Sequence, residues 1–512
     1  MNTFMNGLKN TANVIRTDNG AVAYKSTMSA VLDLFALGGA YRQRSDEDCI
    51  VLFRKAFAED PVYALKCLFY LRDVRGGQGE RRFFRLCMKD LARQNTDAAR
   101  RNLQYVPEYG RWDDLYIFVD TPLEKEMFFF LKKQLALDIT CKTPSLLAKW
   151  LKSENTSSAA SRELATKTRK FLGMTSREYR KTLSALRARI NVLERLMSAD
   201  KWDEIEFDKI PSRAGMIYKN AFARHDIERM KANVEVQSYA DFAKDDTKKV
   251  NAKALYPYEC VAEVLKAFDY SPWYMRGRKT IDETTRAMIN KYWANLEDYF
   301  KGATLNALAV VDTSDSMVGS RADAPINIAV SLGLYCAEKA KGPFAGHYVS
   351  FASRPQLIET VGVDFCDKVQ RIVSTNLCDN TNLEATFDLL LNTAIQKRCK
   401  QEDLPESLII ISDMQIDEAR GYGYYGRYNN DSACVESDVE RYRRKWEAHG
   451  YKMPRLIYWN VNASKDTILD KGENVAYVSG CSPVLFEQIM KGKTQKDLML
   501  DKLNSERYAC IK

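Results

Sequence analysis

Apolar residues recur three to four positions apart through most of residues 25–295, and strand-like runs are scarce, so this half is predicted to be all-helical. The spacing puts Leu65, Leu68 and Phe69 on one face of 62–71, and Phe83, Leu86 and Cys87 on one face of 80–91. Gly76, Gly77 and Gly79 break the chain between these stretches. Further helices are predicted over 100–106, 112–119, 124–137, 144–152 and the long basic stretch 176–197. Such pairs pack as a bundle or an α-solenoid, although no repeat period is sharp enough to name the repeat. Near residue 300 the pattern changes. The apolar run 305–311 ends in Asp312, followed by a small-residue loop and an amphipathic stretch over 325–339, which reads as strand, loop and helix. Apolar runs at 347–351, 408–411, 455–459 and 475–478 alternate with helical stretches such as 383–397 and 438–448. That alternation predicts a largely parallel, doubly wound sheet. In such sheets ligands bind at the carboxyl ends of the strands, where Asp312 and Asp413 both fall.

A chain of 512 residues exceeds what one hydrophobic core organises, so at least two domains are expected. The predicted division is an N-terminal extension 1–24, a helical domain 25–298, an α/β domain 299–490 and a C-terminal tail 491–512. No apolar run reaches the roughly 18 uncharged residues of a membrane span, and the first twenty residues lack the apolar core of a signal peptide, so a cytoplasmic protein with no membrane partner is expected. The net charge of +9 permits a nucleic-acid partner without demanding one. The 12 cysteines are dispersed singly, with no CxxC, which favours reduced thiols over disulfides or zinc. The three histidines, His225, His347 and His449, are too scattered to suggest a metal cluster.

The sharpest chemical pattern is Asp312-Thr313-Ser314-Asp315-Ser316, directly after a hydrophobic strand. A carboxylate and two hydroxyls at alternate positions in a tight loop can aim three hard oxygens at one cation, which suits Mg²⁺ or Mn²⁺. Thr381 offers another hydroxyl just before a helix, and Asp413 offers a second carboxylate at the end of a strand. The plainer reading is a polar loop whose Ser and Asp cap the following helix. The set resembles the metal-ion-dependent adhesion site of the von Willebrand factor A domain, in which all five family positions are occupied here. That resemblance implies Asp312, Ser314, Ser316, Thr381 and Asp413 as ligands, some through water, and a position open to an acidic group of a protein partner.

The stretches YLRDVRGGQGER (70–81), EYGRWDDL (108–115), Lys149-Trp150-Leu151, Tyr179-Arg180-Lys181 with Leu183, and IPSRAGMIYKNAFA (210–223) with Arg224-His225-Asp226 resemble the DUF2828 family, and the resemblance covers residues 25–480. In that family a helical region related to the TROVE module of the Ro RNA-binding autoantigens precedes a von Willebrand A domain. The resemblance implies a helical solenoid or ring, TROVE- or HEAT-like, followed by a Rossmann-like sheet domain, with RNA as the cargo of the helical part.

The residues add two basic regions. Arg72, Arg75, Arg81, Arg82 and Arg85 surround the glycines of RGGQG, whose amides either cradle a phosphate at the start of the next helix or simply form a turn. Residues 162–195 hold Lys167, Arg169, Lys170, Arg177, Arg180, Lys181, Arg187 and Arg189 against only Glu163, Glu178 and Glu194, which reads either as a backbone-tracking face or as an ordinary solvated one. The tyrosine- and glycine-rich segment 421–428 is either a stacking loop or a surface insertion. Trp112-Asp113-Asp114 is expected to be a helix cap with a core tryptophan, not a catalytic pair. No phosphate-binding loop and no nucleophile with its base are visible, so a non-enzymatic RNA-binding protein is the leading expectation. A protein-interaction scaffold or chaperone-like adaptor without RNA is the alternative, and Mg²⁺-dependent phosphoryl transfer a weaker one.

Overall fold

A computed structural model describes residues 5, 13–16, 22–271, 276–301, 306–319, 321–351, 354–375, 382–415, 438–463, 467–469, 474–489 and 493–512. They form two compact units interleaved along the sequence: 1–45, 58–60 and 255–502 in one, and 46–57, 61–254 and 503–512 in the other.

The first unit is built on a six-stranded sheet. Its strands are β1 (Ala307–Asp312), β2 (His347–Phe351), β3 (Leu357–Glu359), β4 (Ser407–Ser412), β5 (Arg455–Asn460) and β6 (Val475–Ser479), in the spatial order β6-β5-β4-β1-β2-β3. Every neighbouring pair is parallel except β2 with β3. β1, β5 and β6 are buried at every position, which is why their sequences read as unbroken apolar runs and not as alternations. The helix Pro325–Lys339 follows β1 and lies on the sheet so closely that a Cβ on Gly333 would sit 2.4 Å from Val311 Cγ2.

Three helices that periodicity alone assigns to the helical half belong instead to this unit. Ala30–Leu37 packs on β6, and Gly39 just after it donates its amide to Ser479 Oγ at 3.0 Å. Pro257–Ala267 packs on Pro325–Lys339, while Glu283–Ala294 stacks Trp293 on Phe365, centroids 4.0 Å apart, and clamps Asp364 with Arg286 at 2.7 Å. The expected boundary at 298 therefore falls inside a continuous core, because these helices bury their apolar faces against the sheet layer.

The second unit is helical. Pro61–Arg72 and Arg81–Gln94 are joined by the RGGQG turn, and Glu124–Thr140, Ala159–Leu172, Ser176–Arg189, Leu193–Ser198 and Ser212–Ala232 follow. The single helix expected over 176–197 is two, because Asn191 adopts φ 48° and the chain turns before Leu193. Trp112–Phe118 is a 3₁₀ helix, not an α-helix. The last residues are no tail: Tyr508 stacks on Tyr109 at 5.6 Å, and Arg507 and Tyr508 both bind Asp73.

Candidate metal centre and basic faces

β1 is flanked by β2 and β4, so the carboxylate at its end emerges in the middle of the sheet's carboxyl edge. Asp312 is fully buried there. Its Oδ1 accepts the Ser314 amide at 2.9 Å and its Oδ2 accepts the Ser412 hydroxyl at 2.5 Å. Ser412 ends β4, and its oxygen also accepts the Met414 amide at 3.0 Å, which fixes the hydroxyl toward Asp312. Asp413, also buried, accepts the Gln415 amide at 3.2 Å. Burial first, and the charge of Asp413 second, push the Asp312 carboxyl up to about 7. Ser314 and Ser316 bring their hydroxyls to 3.1 Å of each other, with Ser314 buried and Ser316 exposed.

Asp312, Ser314, Ser316 and Asp413 thus arise from adjoining strand ends, as the spacing predicts. Thr381 and the segment 421–428 lie outside the described residues. Among the described residues no group of three or more His, Cys, Asp or Glu forms a metal-binding cluster. A cation here would have to be held by hydroxyls beside two carboxylates, and that all-oxygen donor set fits a hard divalent ion. Ser412 escapes sequence reasoning, because nothing in SLIIIS distinguishes a terminal serine that orients a carboxylate a hundred residues earlier. The histidines stand apart from this site: His225 stacks on Trp202 at 4.0 Å, and His347 and His449 each approach a backbone carbonyl.

In the helical unit the arginines of the RGGQG region have carboxylate partners. Arg72 is 2% exposed and sends Nε and Nη2 to Asp114 at 2.9 and 2.7 Å. It is a core residue, out of reach of a phosphate. Arg81 and Arg85 bind Asp113 and Asp114, Arg111 binds Asp113 at 3.0 Å, and Lys152 reaches Asp113 at 3.5 Å. Arg82 pairs with Asp46, and Arg75 with Glu108 at 3.5 Å. Asp113 and Asp114 therefore anchor a cage of cations. Burial raises their carboxyls, and the surrounding guanidiniums outweigh it and leave both below the usual range. Trp112 is half-buried and stacks on Phe130 at 5.7 Å.

The turn's amides are also spent. Arg75 donates to Asp73 Oδ1, and Gln78, Gly79 and Glu80 donate to the carbonyls of Tyr70, Asp73 and Leu71. RGGQG is a turn, and the phosphate cradle is ruled out by this internal bonding. A Cβ on Gly77 would meet the Tyr70 carbonyl oxygen at 2.0 Å, and Gly79 has φ +69°, so both positions require glycine.

Lys170, Arg177, Arg180 and Lys181 are different. All four are exposed, and none has a carboxylate partner among the described residues. Arg177, Arg180 and Lys181 share one face of Ser176–Arg189, whose opposite side buries Tyr179, Leu183 and Leu186. Their neighbours in the basic stretch are occupied: Lys167 binds Asp120, Arg169 binds Glu154, and Arg187 caps the carbonyls of Ala148 and Leu151. A second basic row is written in the spacing of four that Arg81, Arg85, Lys89 and Arg93 share along Arg81–Gln94. Arg85, Lys89 and Arg93 line a hollow of about 420 Å³ with Tyr116 and Asp113.

Comparison with known proteins adds the following. A family described as "Domain of unknown function (DUF2828)" matches residues 17–145 and 134–303, and one described as "Domain of unknown function (DUF7788)" matches 306–508. "Uncharacterized protein L728" of Acanthamoeba polyphaga mimivirus is 30% identical over 521 residues, covering 94% of this chain and 85% of that protein. Among solved structures, the RO (RSR) protein of Deinococcus radiodurans is similar with a TM-score of 0.48 and 13% identity, over 94% of this chain and 100% of that one. With its family match spanning more than half of its length, and a relative that aligns over nearly all of it, the chain belongs to the DUF2828 family.

Proposed function

We propose that this chain is a non-enzymatic binding protein whose helical unit holds RNA and whose sheet unit, von Willebrand A-like, carries a divalent cation for a protein partner. The observation that carries the RNA reading is the uncompensated charge of Lys170, Arg177, Arg180 and Lys181. Arg81, Arg85, Lys167, Arg169 and Arg187 of the same unit are matched to carboxylates or to carbonyls of other segments, whereas these four gather on adjoining helices without a carboxylate, Arg180 meeting only the Ser176 carbonyl of its own helix, and form an electrostatic footprint for a polyanion. Side chains of this type contact phosphates and give affinity without base specificity. The Lys89 and Arg93 row, beside Tyr116, supplies a second contact of the same kind.

At the sheet edge, Mg²⁺ or Mn²⁺ would take Asp312 and Asp413 as its charged ligands and Ser314, Ser316 and Thr381 as neutral ones, some through water. Two carboxylates just balance the ion's charge, and neutral hydroxyls and waters fill the rest of its shell, so a water can give way to an acidic side chain of a partner. Among the described residues the hydroxyl bonded to a carboxylate here, Ser412 on Asp312, is itself buried, which favours adhesion over phosphoryl transfer. The test of the RNA assignment is crosslinking of the full chain to RNA, with the crosslinked peptides mapped. Peptides from 159–189 and 81–94 are expected. Crosslinks confined to other segments, or none, would overturn it and leave the scaffold alternative.

A further inference from the structure

The amino-terminal edge of the sheet carries a charge that the proposed function does not use. Arg455 opens β5 and is only 8% exposed. Its guanidinium donates to the carbonyl of Ile489 at 3.4 Å and to that of Lys493. No carboxylate pairs with it among the described residues. Buried arginines are ordinarily paired, because an uncompensated buried charge costs several kcal/mol, on the order of 3–5. Burial alone acts on this group and pushes its pKa down. By contrast, Arg72, buried to a similar degree, holds Asp114 with two hydrogen bonds.

Arg455 lines a cavity of about 870 Å³, together with Ser407, Asn474 and Asn306. The Oδ1 of Asn306 is buried without a hydrogen-bond partner. Among the described residues, the same cavity thus holds a cation with carbonyl partners but no carboxylate, and a buried acceptor without a donor. Glu402 and Glu406, which also border it, are exposed, and Glu402 is paired with Lys400 at 3.3 Å. Gln401 and Lys452 stand at its exposed border, the Gln401 side chain bonded to the Lys452 backbone, while Leu404, Ile409, Met453 and Ile457 give it an apolar wall that lowers the local dielectric.

We propose that this cavity is a binding site for a small oxyanion that keeps one protonated oxygen, a hydrogen phosphate or the monoanion of a dicarboxylic acid, seated on the Arg455 guanidinium with that oxygen directed to Asn306. The planar fork of arginine matches such a group with two parallel hydrogen bonds. The site is separate from the metal centre: Arg455 is level in register with Ser407 and Ala307, which begin the strands whose far ends deliver Asp413 and Asp312, about 17 Å away at about 3.3 Å per residue. It is also independent of the RNA reading, since its residues lie in the sheet unit.

The experiment is calorimetric titration of the full chain with inorganic phosphate and, in a second arm, malonate, at fixed ionic strength. Saturable binding of at least one anion is expected, and the stronger arm identifies the source. Arg455→Lys should weaken it at least tenfold while keeping the charge, and Asn306→Ala should weaken it about threefold. A Lys170, Arg177 and Lys181 triple alanine variant should bind as wild type does, which separates this site from the basic faces. If neither anion saturates, or if Arg455→Lys and Asn306→Ala both bind as wild type does, Arg455 only ties the chain near Ile489 and Lys493 to the sheet and the proposal fails.

Discussion

Asp312 and Asp114 are both fully buried, and their surroundings set them to opposite tasks. Around Asp312 stand a second carboxylate and hydroxyls, so its charge is left for a cation to neutralise. Around Asp114 stand Arg72, Arg81 and Arg85, so its charge is already spent on the fold. Asp312→Ala should therefore abolish Mg²⁺ binding in calorimetry with little loss of fold, and binding equal to wild type would remove the site. Asp114→Ala should cost the helical unit about 3–5 kcal/mol in urea unfolding, because it strands the buried Arg72. The pH dependence follows from the lowered carboxyls of Asp73, Asp113 and Asp114. A carboxyl lowered in the folded state adds stability that is complete above its unfolded pKa of about 4 and is lost as pH falls through the folded value. The helical unit should keep its urea midpoint from pH 7 to about 5 and lose it steeply below about 4. Sequence reasoning saw Asp113 and Asp114 as a cap, which Asp114 is, since it accepts the Arg111 amide at 2.9 Å. It missed the cage because the caging arginines lie up to 42 residues away, and no local spacing records such pairs.

At the scale of elements, fully apolar strands and long amphipathic helices were legible, and elements fixed by backbone geometry were not. β2, Pro325–Lys339, Leu383–Lys397 and Asp438–Ala448 fall where their periodicity puts them, because burial on one or both faces writes itself into the sequence. The break at Asn191 is invisible to periodicity, since a polar residue in a basic stretch looks like one more exposed position. Ala30–Leu37 was readable as a helix, but its partner, β6, lies more than 400 residues further along. The glycines separate two kinds of constraint. Gly77→Ala drives a Cβ into the backbone of Tyr70 and should cost more than about 2 kcal/mol. Gly173→Ala, at φ +72° with nothing within 4 Å, should cost only about 1 kcal/mol. Urea midpoints of the two variants check the order, and equal losses would mean that the RGGQG turn yields without strain.

For the whole molecule, the two units divide the proposed labour: the cation ligands come from one and the unmatched basic side chains from the other. Asp312→Ala should therefore leave RNA affinity within a few-fold of wild type at fixed ionic strength, since coupling needs an element with two arrangements that both ligands bias. A large loss in a folded variant would mean that the cation itself meets phosphate. Composition had left RNA merely permitted, as a net charge of +9 spread over 512 residues is mild. The structure sharpens the question by showing which cations are already paired. The most direct test is the salt dependence of RNA affinity for wild type and for the Lys170, Arg177 and Lys181 triple alanine variant, with single-stranded RNA and the full chain. Each lost phosphate contact should lower the slope of log affinity against log salt by about 0.7, so the variant's slope should be shallower by about 2. Unchanged slopes would return these side chains to the solvent and contradict the account.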